Sequence, residues 1–240
     1  VNLTTVLLPG LDGTGELFAP FVAAAPPRCA LHRLRLPDDR VRSYSELAAW
    51  VQARLPDGDV VLVAESFSGP LAILVAAECV RVVGVVLSTT FIEPPLSGPL
   101  SIVPKVLPGW VWNQPPPEFL LRVFLAGGDP ALAAALRRAM LGVRGKVIEA
   151  RVASVLRVNV TAEFQRLDCP LLCLHASRDR LVSARSAARM RAVKPDADFV
   201  QLDAPHLLLQ ARPQEAWLHV SPFLERVGRA PMSRVLDGCS

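Results

Sequence analysis

Apolar positions along this chain fall into short unbroken runs and longer helix-like segments, and the two kinds alternate. Short runs at Thr4 to Leu8, Val60 to Val63, Val82 to Leu87 and Pro170 to His175 predict buried strands. Ala30 to Leu36 predicts another, with Arg33 and Arg35 alternating against Leu34 and Leu36. Asp198 to Leu202 predicts the last strand. Helix-like segments lie between them at Leu17 to Ala25, Leu71 to Ala77 and Ser183 to Val193, with a final one from about Pro213 to Val227. A further helix opens at Ser43, where Glu46 three residues later completes a capping-box pattern, and ends near Pro56. Strands alternating with helices predict an α/β fold, a mostly parallel sheet of about six strands with crossover helices on both faces.

The rhythm breaks once. From Glu93 to about Pro117 the chain is rich in proline and holds Trp110 and Trp112. Helical segments then follow at Glu118 to Leu125, Pro130 to Leu141 and Lys146 to Val158, separated by Gly127, Gly128, Gly142 and Gly145. No strand pattern interrupts this stretch. It predicts a helical lid over residues 93–166, inserted into an α/β body made of residues 1–92 and 167–240. Residues beyond Gly228 carry no clear pattern, and the chain has no internal repeat.

Composition narrows the class. Of 240 residues, 51% are apolar and only 6% aromatic, so Leu, Val and Ala must build the core. No charge-free apolar run reaches the roughly 18 residues that a membrane span needs. The N-terminus shows no basic segment followed by an apolar one, and the five cysteines follow no disulfide framework. Both features lead to the expectation of a reducing, cytoplasmic location. Cys169 and Cys173 have the look of a metal pair, yet in a strand they would lie about 13 Å apart, so they read as small buried residues and no metal site is expected. Residues 93–166 hold nine Lys and Arg against five Asp and Glu, which accounts for the whole net charge of +4. That excess is modest and not interleaved with aromatics, which argues against nucleic acid as a partner.

Candidate chemistry centres on Asp59 to Ala77, where a buried strand turns into a helix around Ser66. The flanks are small: Ala64 two residues before, Ser68 two after, then Gly69. This is a degenerate form of the nucleophile elbow G-x-S-x-G, whose serine sits in a strained conformation that tolerates only small neighbours. Pro70 fits the first turn of a helix, where amides lack partners. The loop P-G-L-D-G-T-G-E from Pro9 to Glu16 lacks the lysine and the spacing of a phosphate loop. Its glycines suit a different use, aiming a backbone N–H at a developing oxyanion.

In open α/β sheets chemistry gathers beyond the carboxyl ends of the strands. Ser66, Asp179 and His206 all follow strands there, and together they supply a nucleophile, a base and a carboxylate to orient the base. His175, four residues before Asp179, is a rival base, whereas His32 lies within a strand and His219 within the last helix. Asp203 is a rival acid, Asp168 precedes its strand, and Asp12 reads as a turn residue.

Serine, then acid, then histidine is the chain order of α/β-hydrolases. On these residues, with the loop P-G-L-D-G-T-G, the chain from about Thr4 to Val227 resembles α/β-hydrolase serine esterases with a small helical lid. The resemblance implies that the backbone N–H groups of Leu11 and Phe67 form the oxyanion hole. Family members commonly carry His-Gly where this chain has Pro9-Gly10, and glycine where it has Ala64 and Ser68. The implied activity is hydrolysis of a small-molecule carboxylic ester through an acyl-enzyme on Ser66, without a cofactor. Phe91, Leu121, Phe124 and Leu125 are the candidates to line an acyl pocket. A sharper form is similar to pimeloyl-acyl-carrier-protein methyl ester esterases, in which lid arginines meet an acidic acyl carrier protein. Arg137, Arg138, Arg144 and Arg151 are the residues that would do so here. Acyl transfer or lyase chemistry on the same triad, and a non-enzymatic binding protein, are the other readings.

Overall fold

Every residue of β3 (Val60–Glu65) is buried, as a continuous apolar run covered on both faces should be. The strand stands between β1 (Thr4–Leu8) and β4 (Val82–Ser88) in a sheet of six strands. With β2 at Leu31–Arg33, β5 at Leu171–Ala176 and β6 at Asp198–Leu202, the order is β2-β1-β3-β4-β5-β6. All neighbouring pairs run parallel. This structure, a computed structural model, describes residues 3–95 and 109–229. Part of the proline-rich stretch and most of the patternless tail, residues 96–108 and 230–240, lie outside the described residues.

Alternate strand residues feed two separate cores, which is the period of two expressed in packing. On one face Val6, Leu8, Leu62, Ala64, Leu87 and Cys173 pack together. Two helices cover them, α2 (Tyr44–Gln52) through Leu47 and Val51, and α3 (Ser68–Glu78) through Leu71 and Ile73. On the other face Leu7, Val61, Val63, Val86, Leu172 and Leu174 meet a different set of helices. There α1 (Ala19–Ala23) contributes Phe21, and the final helix contributes Trp217, Val220 and Phe223. Trp217 stacks on Phe21 at 4.5 Å and donates its Nε1–H to the Phe21 carbonyl at 2.7 Å. The Ser43/Glu46 capping box is formed in full at the start of α2.

The β2 ladder is shorter than its alternating pattern predicts. After Arg33 the backbone leaves the sheet edge, and Leu36 N–H donates to Gly13 O at 2.7 Å. Leu34 and Leu36 remain buried and Arg35 exposed, so the alternation continues where the ladder has stopped.

Among the described residues between β4 and β5 come a 3-10 turn (Gly109–Asn113) and four helices, α4 (Glu118–Phe124), α5 (Pro130–Leu141), α6 (Gly145–Val155) and α7 (Thr161–Arg166). Helix α6 stops at Val155, three residues before the expected end, and α7 has no counterpart in the sequence pattern. Phe164 of α7 is fully buried in the first sheet core, so α7 packs with the sheet. Leu121 of α4 and Leu132, Ala133 and Leu136 of α5 form a third cluster with Leu17 and Leu207. That cluster sets α4 and α5 over the loop that follows β6. Three helices complete the chain's described part: α8 (Ala184–Val193), α9 (Leu208–Ala211) and α10 (Pro213–Arg229). Among the described residues no helix is long and apolar enough to cross a membrane.

Candidate active site

The strand order reverses at β1, whose two neighbours β2 and β3 follow it in the chain on opposite sides. Crevices open at such switch points, beyond the carboxyl ends of the strands. Ser66 stands there, one residue past β3, with φ of 49°, a left-handed conformation that side-chain-bearing residues rarely adopt. The surrounding chain holds it in place. Ser66 N–H donates to Ser88 O at 2.9 Å, and Ser66 O accepts from Gly69 N–H at 3.0 Å and from Thr90 Oγ1–H at 2.6 Å. Ser68, fully buried, donates its hydroxyl to Pro9 O and so ties this turn to the loop leaving β1. The need for glycine at 69 is steric: a Cβ there would lie 2.0 Å from Thr90 Oγ1.

His206 lies in the loop between β6 and α9, with 2% of its surface exposed. Its Nδ1 is 2.7 Å from Asp179 Oδ2 and its Nε2 is 2.9 Å from Ser66 Oγ. A carboxylate only accepts, so Nδ1 carries the proton and donates, which leaves Nε2 to accept from the serine hydroxyl. Asp179 is fixed in turn: its Oδ1 accepts from Leu181 N–H at 2.8 Å and Val182 N–H at 2.9 Å. One oxygen is thus anchored on backbone and the other faces the imidazole.

The rival residues sit elsewhere. Asp203 is exposed and accepts from Arg178 Nε at 2.7 Å and from the Ser177 hydroxyl. His175 stacks on Phe199 with ring centroids 5.7 Å apart, and its buried Nε2 has no hydrogen-bond partner. Burial lowers its pKa to about 4, which keeps it neutral. It lines a cavity of about 350 Å³ together with Thr89, Asp179, Val182, Arg191 and Gln201. Asp168 precedes β5, at the opposite end of the sheet. Asp12 is buried in the turn after β1, where its carboxylate accepts from Thr14 N–H at 2.9 Å and from the Thr14 hydroxyl.

Leu11 lies in that same turn, half-buried against the first core, and Phe67 is the residue after the serine. The four pocket candidates are not gathered into one cluster. Phe91 is buried in the first sheet core and Leu121 in the third cluster. Leu125 is half-buried, its carbonyl accepting from Leu207 N–H at 3.1 Å, one residue from His206. Phe124 is 45% exposed and does not belong to the third cluster that its neighbours build. Of the four lid arginines, Arg138 and Arg144 are exposed and Arg137 half-buried, but Arg151 is only 2% exposed and bonded to backbone. A surface role for Arg151 is therefore corrected: the helix turns it inward.

Sequence reasoning missed Glu65, which directly precedes the serine and is 2% exposed. It accepts from Gln210 Nε2–H at 3.0 Å, while its Oε1 is buried without a partner. Burial pushes its carboxyl up to about 7, against the pull of His206 and the Gln210 hydrogen bond. The elbow motif leaves this position open, so only the rarity of a glutamate inside an apolar run could have flagged it. Among the described residues no group of three or more His, Cys, Asp or Glu is arranged to hold a metal ion. Cys173 is fully buried in the first core, where burial raises its thiol pKa.

Fold and site together define a member of the α/β-hydrolases. The chain belongs to the alpha/beta hydrolase family, whose model matches residues 5–219. Several solved structures share the fold. An esterase from Thermogutta terrifontis is 19% identical with a TM-score of 0.76, the match covering 95% of this chain and 91% of that one. The enol-lactonase from Burkholderia xenovorans LB400 is 16% identical with a TM-score of 0.78, covering 94% and 92%. A bromoperoxidase from Bacillus anthracis is 15% identical with a TM-score of 0.80, covering 94% and 92%. At these identities the likeness is one of fold. No curated protein matches the sequence.

Proposed function

We propose that the protein is a serine hydrolase that cleaves carboxylic esters through an acyl-enzyme on Ser66. The observation that carries this reading is the unbroken hydrogen-bonded chain from Asp179 through His206 to Ser66, at 2.7 and 2.9 Å. Ser66 Oγ attacks the ester carbonyl carbon while His206 Nε2 takes its proton, and Asp179 steadies the imidazolium that forms. The N–H groups of Leu11 and Phe67 receive the oxyanion. Collapse expels the alcohol, which leaves with the proton from His206. Water, deprotonated by the same nitrogen, then releases the carboxylic acid and restores the serine. Nucleophile, base and electrostatic support all come from the chain itself, so these steps call on no cofactor.

Family membership and neighbours that include an esterase and an enol-lactonase support acyl chemistry of this class. Helices α4 to α6 act as the lid, with Leu125 against Leu207 bringing an apolar edge beside His206. A narrower reading has the acyl group delivered by an acidic acyl carrier protein. It now rests on Arg137, Arg138 and Arg144, since Arg151 is buried.

The test is hydrolysis of p-nitrophenyl esters across a chain-length series by wild type and by Ser66→Ala. Wild type should turn over at least the short esters, and Ser66→Ala should lose about 1,000-fold or more in kcat with an unchanged fold. A variant that keeps turnover within about tenfold of wild type would remove Ser66 from the chemistry.

A further inference from the structure

Two backbone segments would present amides to the oxyanion, the turn after β1 at Leu11 and the start of α3 at Phe67. A single buried side chain reaches both. Arg151 enters from α6, and its Nη1 donates to Leu11 O and to Asp12 O, each at 2.9 Å. Its Nη2 donates to Pro37 O at 3.2 Å, beyond β2. On its other side the guanidinium carbon lies 5.8 Å from the centre of the Phe67 ring. That ring is stacked on Tyr44 at 4.9 Å, and Tyr44 Oη–H donates to Phe67 O at 2.9 Å.

The β1 turn is built to admit this group. Gly13 has φ of +73°, and a Cβ there would lie 2.3 Å from Arg151 Nη1. A charged side chain is costly to bury, and here desolvation lowers the arginine to about 10, with Asp12 and Asp38 opposing the loss of charge. It stays cationic at neutral pH, and a cation strengthens each bond to a carbonyl. The fork matters as much as the charge. Three carbonyls on two loops are reached from one rigid plane, which a lysine ammonium cannot reproduce. A carbonyl held from outside fixes its peptide plane, so Arg151 holds the two planes that follow Leu11; the preceding plane, which carries the Leu11 N–H, is tied to the same turn because Gly10 O accepts from Gly13 N–H at 3.0 Å.

We propose that Arg151 is the positioning residue of the oxyanion hole, holding the Leu11 and Asp12 peptides and the Phe67 ring so that both amides converge beside Ser66. The helical segment that carries it is thereby keyed to the catalytic centre through one side chain. This inference rests on the serine-hydrolase reading. It assigns Arg151 no contact with substrate.

The experiment compares wild type with Arg151→Ala and Arg151→Lys, each titrated with a fluorophosphonate to count competent sites before ester turnover is measured. Misaligned amides should lower kcat per titrated site by about 30-fold or more with KM little changed, because the lost interaction acts on the transition state. Guanidinium ion at sub-denaturing concentration should restore part of the Arg151→Ala activity, and ammonium should not. If Arg151→Ala does not fold, Arg151→Lys, which keeps the charge but not the fork, should show the same per-site loss. Per-site kcat within about twofold of wild type, with only fewer titratable sites, would overturn the inference and leave Arg151 a stabilising residue. Wild type that takes no label at Ser66 would instead overturn the hydrolase reading itself.

Discussion

Asp179 divides its two oxygens between backbone and imidazole, and this division gives the site its chemical direction. Because Oδ1 is held by Leu181 and Val182 amides, Oδ2 is kept on His206 Nδ1, and the imidazole has one usable tautomer. An amide in place of the carboxylate would present a donor to Nδ1 in one of its orientations and would support the wrong tautomer. Asp179→Asn should therefore lower ester turnover by about 1,000-fold or more, as loss of a triad carboxylate does. Asp203, whose carboxylate is taken up by Arg178 and Ser177 at the surface, has no such leverage. Asp203→Asn should stay within about threefold of wild type. Steady-state kinetics on both variants decides the matter, and the opposite ranking would move the acid to Asp203.

At the scale of elements, the carboxyl end of β3 carries a buried titratable side chain and that of β5 a half-buried one, and the two respond to pH in opposite directions. Glu65, facing His206 and Asp12, is raised from 4.5 to about 7. Between those values the folded protein keeps a proton that the unfolded chain has released, so its contribution to stability is full below 4.5 and lost as pH rises to about 7. His175, facing Arg191 and Asp179, is lowered from 6.5 to about 4. Below 6.5 the unfolded chain takes up a proton that the folded one refuses, so this contribution is lost as pH falls to about 4. Where the windows overlap the two slopes offset each other. Glu65→Gln should uncover stability that rises with pH through this range, by up to about 1.4 kcal/mol per unit. His175→Phe, which keeps the stack on Phe199 and drops an unpartnered nitrogen, should uncover a fall of similar size. Urea unfolding at several pH values measures both slopes, and slopes equal to wild type in both variants would contradict the assignment.

Across the whole molecule, the legible parts were those written locally. Ser66, Asp179 and His206 each follow a recognisable strand, and strand ends are where a parallel sheet exposes its chemistry. The β-strands with continuous apolar runs could be read because both of their faces are buried. What escaped depends on partners distant in the chain. Arg151 carries a charge and reads as surface, yet it is buried because carbonyls of Leu11, Asp12 and Pro37 await it. Glu65 occupies a position that the elbow motif leaves open. The ladder of β2 ends early because Leu36 N–H turns to Gly13 O, a tertiary bond without a sequence signature. All of these converge on one centre, whose function turns on whether its serine is a nucleophile. The most direct measurement is mass-spectrometric mapping of the adduct formed with a fluorophosphonate. A nucleophilic Ser66 should give a single adduct, on Ser66, that forms far more slowly in His206→Ala. Absence of an adduct, or one placed on a different residue such as Ser68, would contradict it.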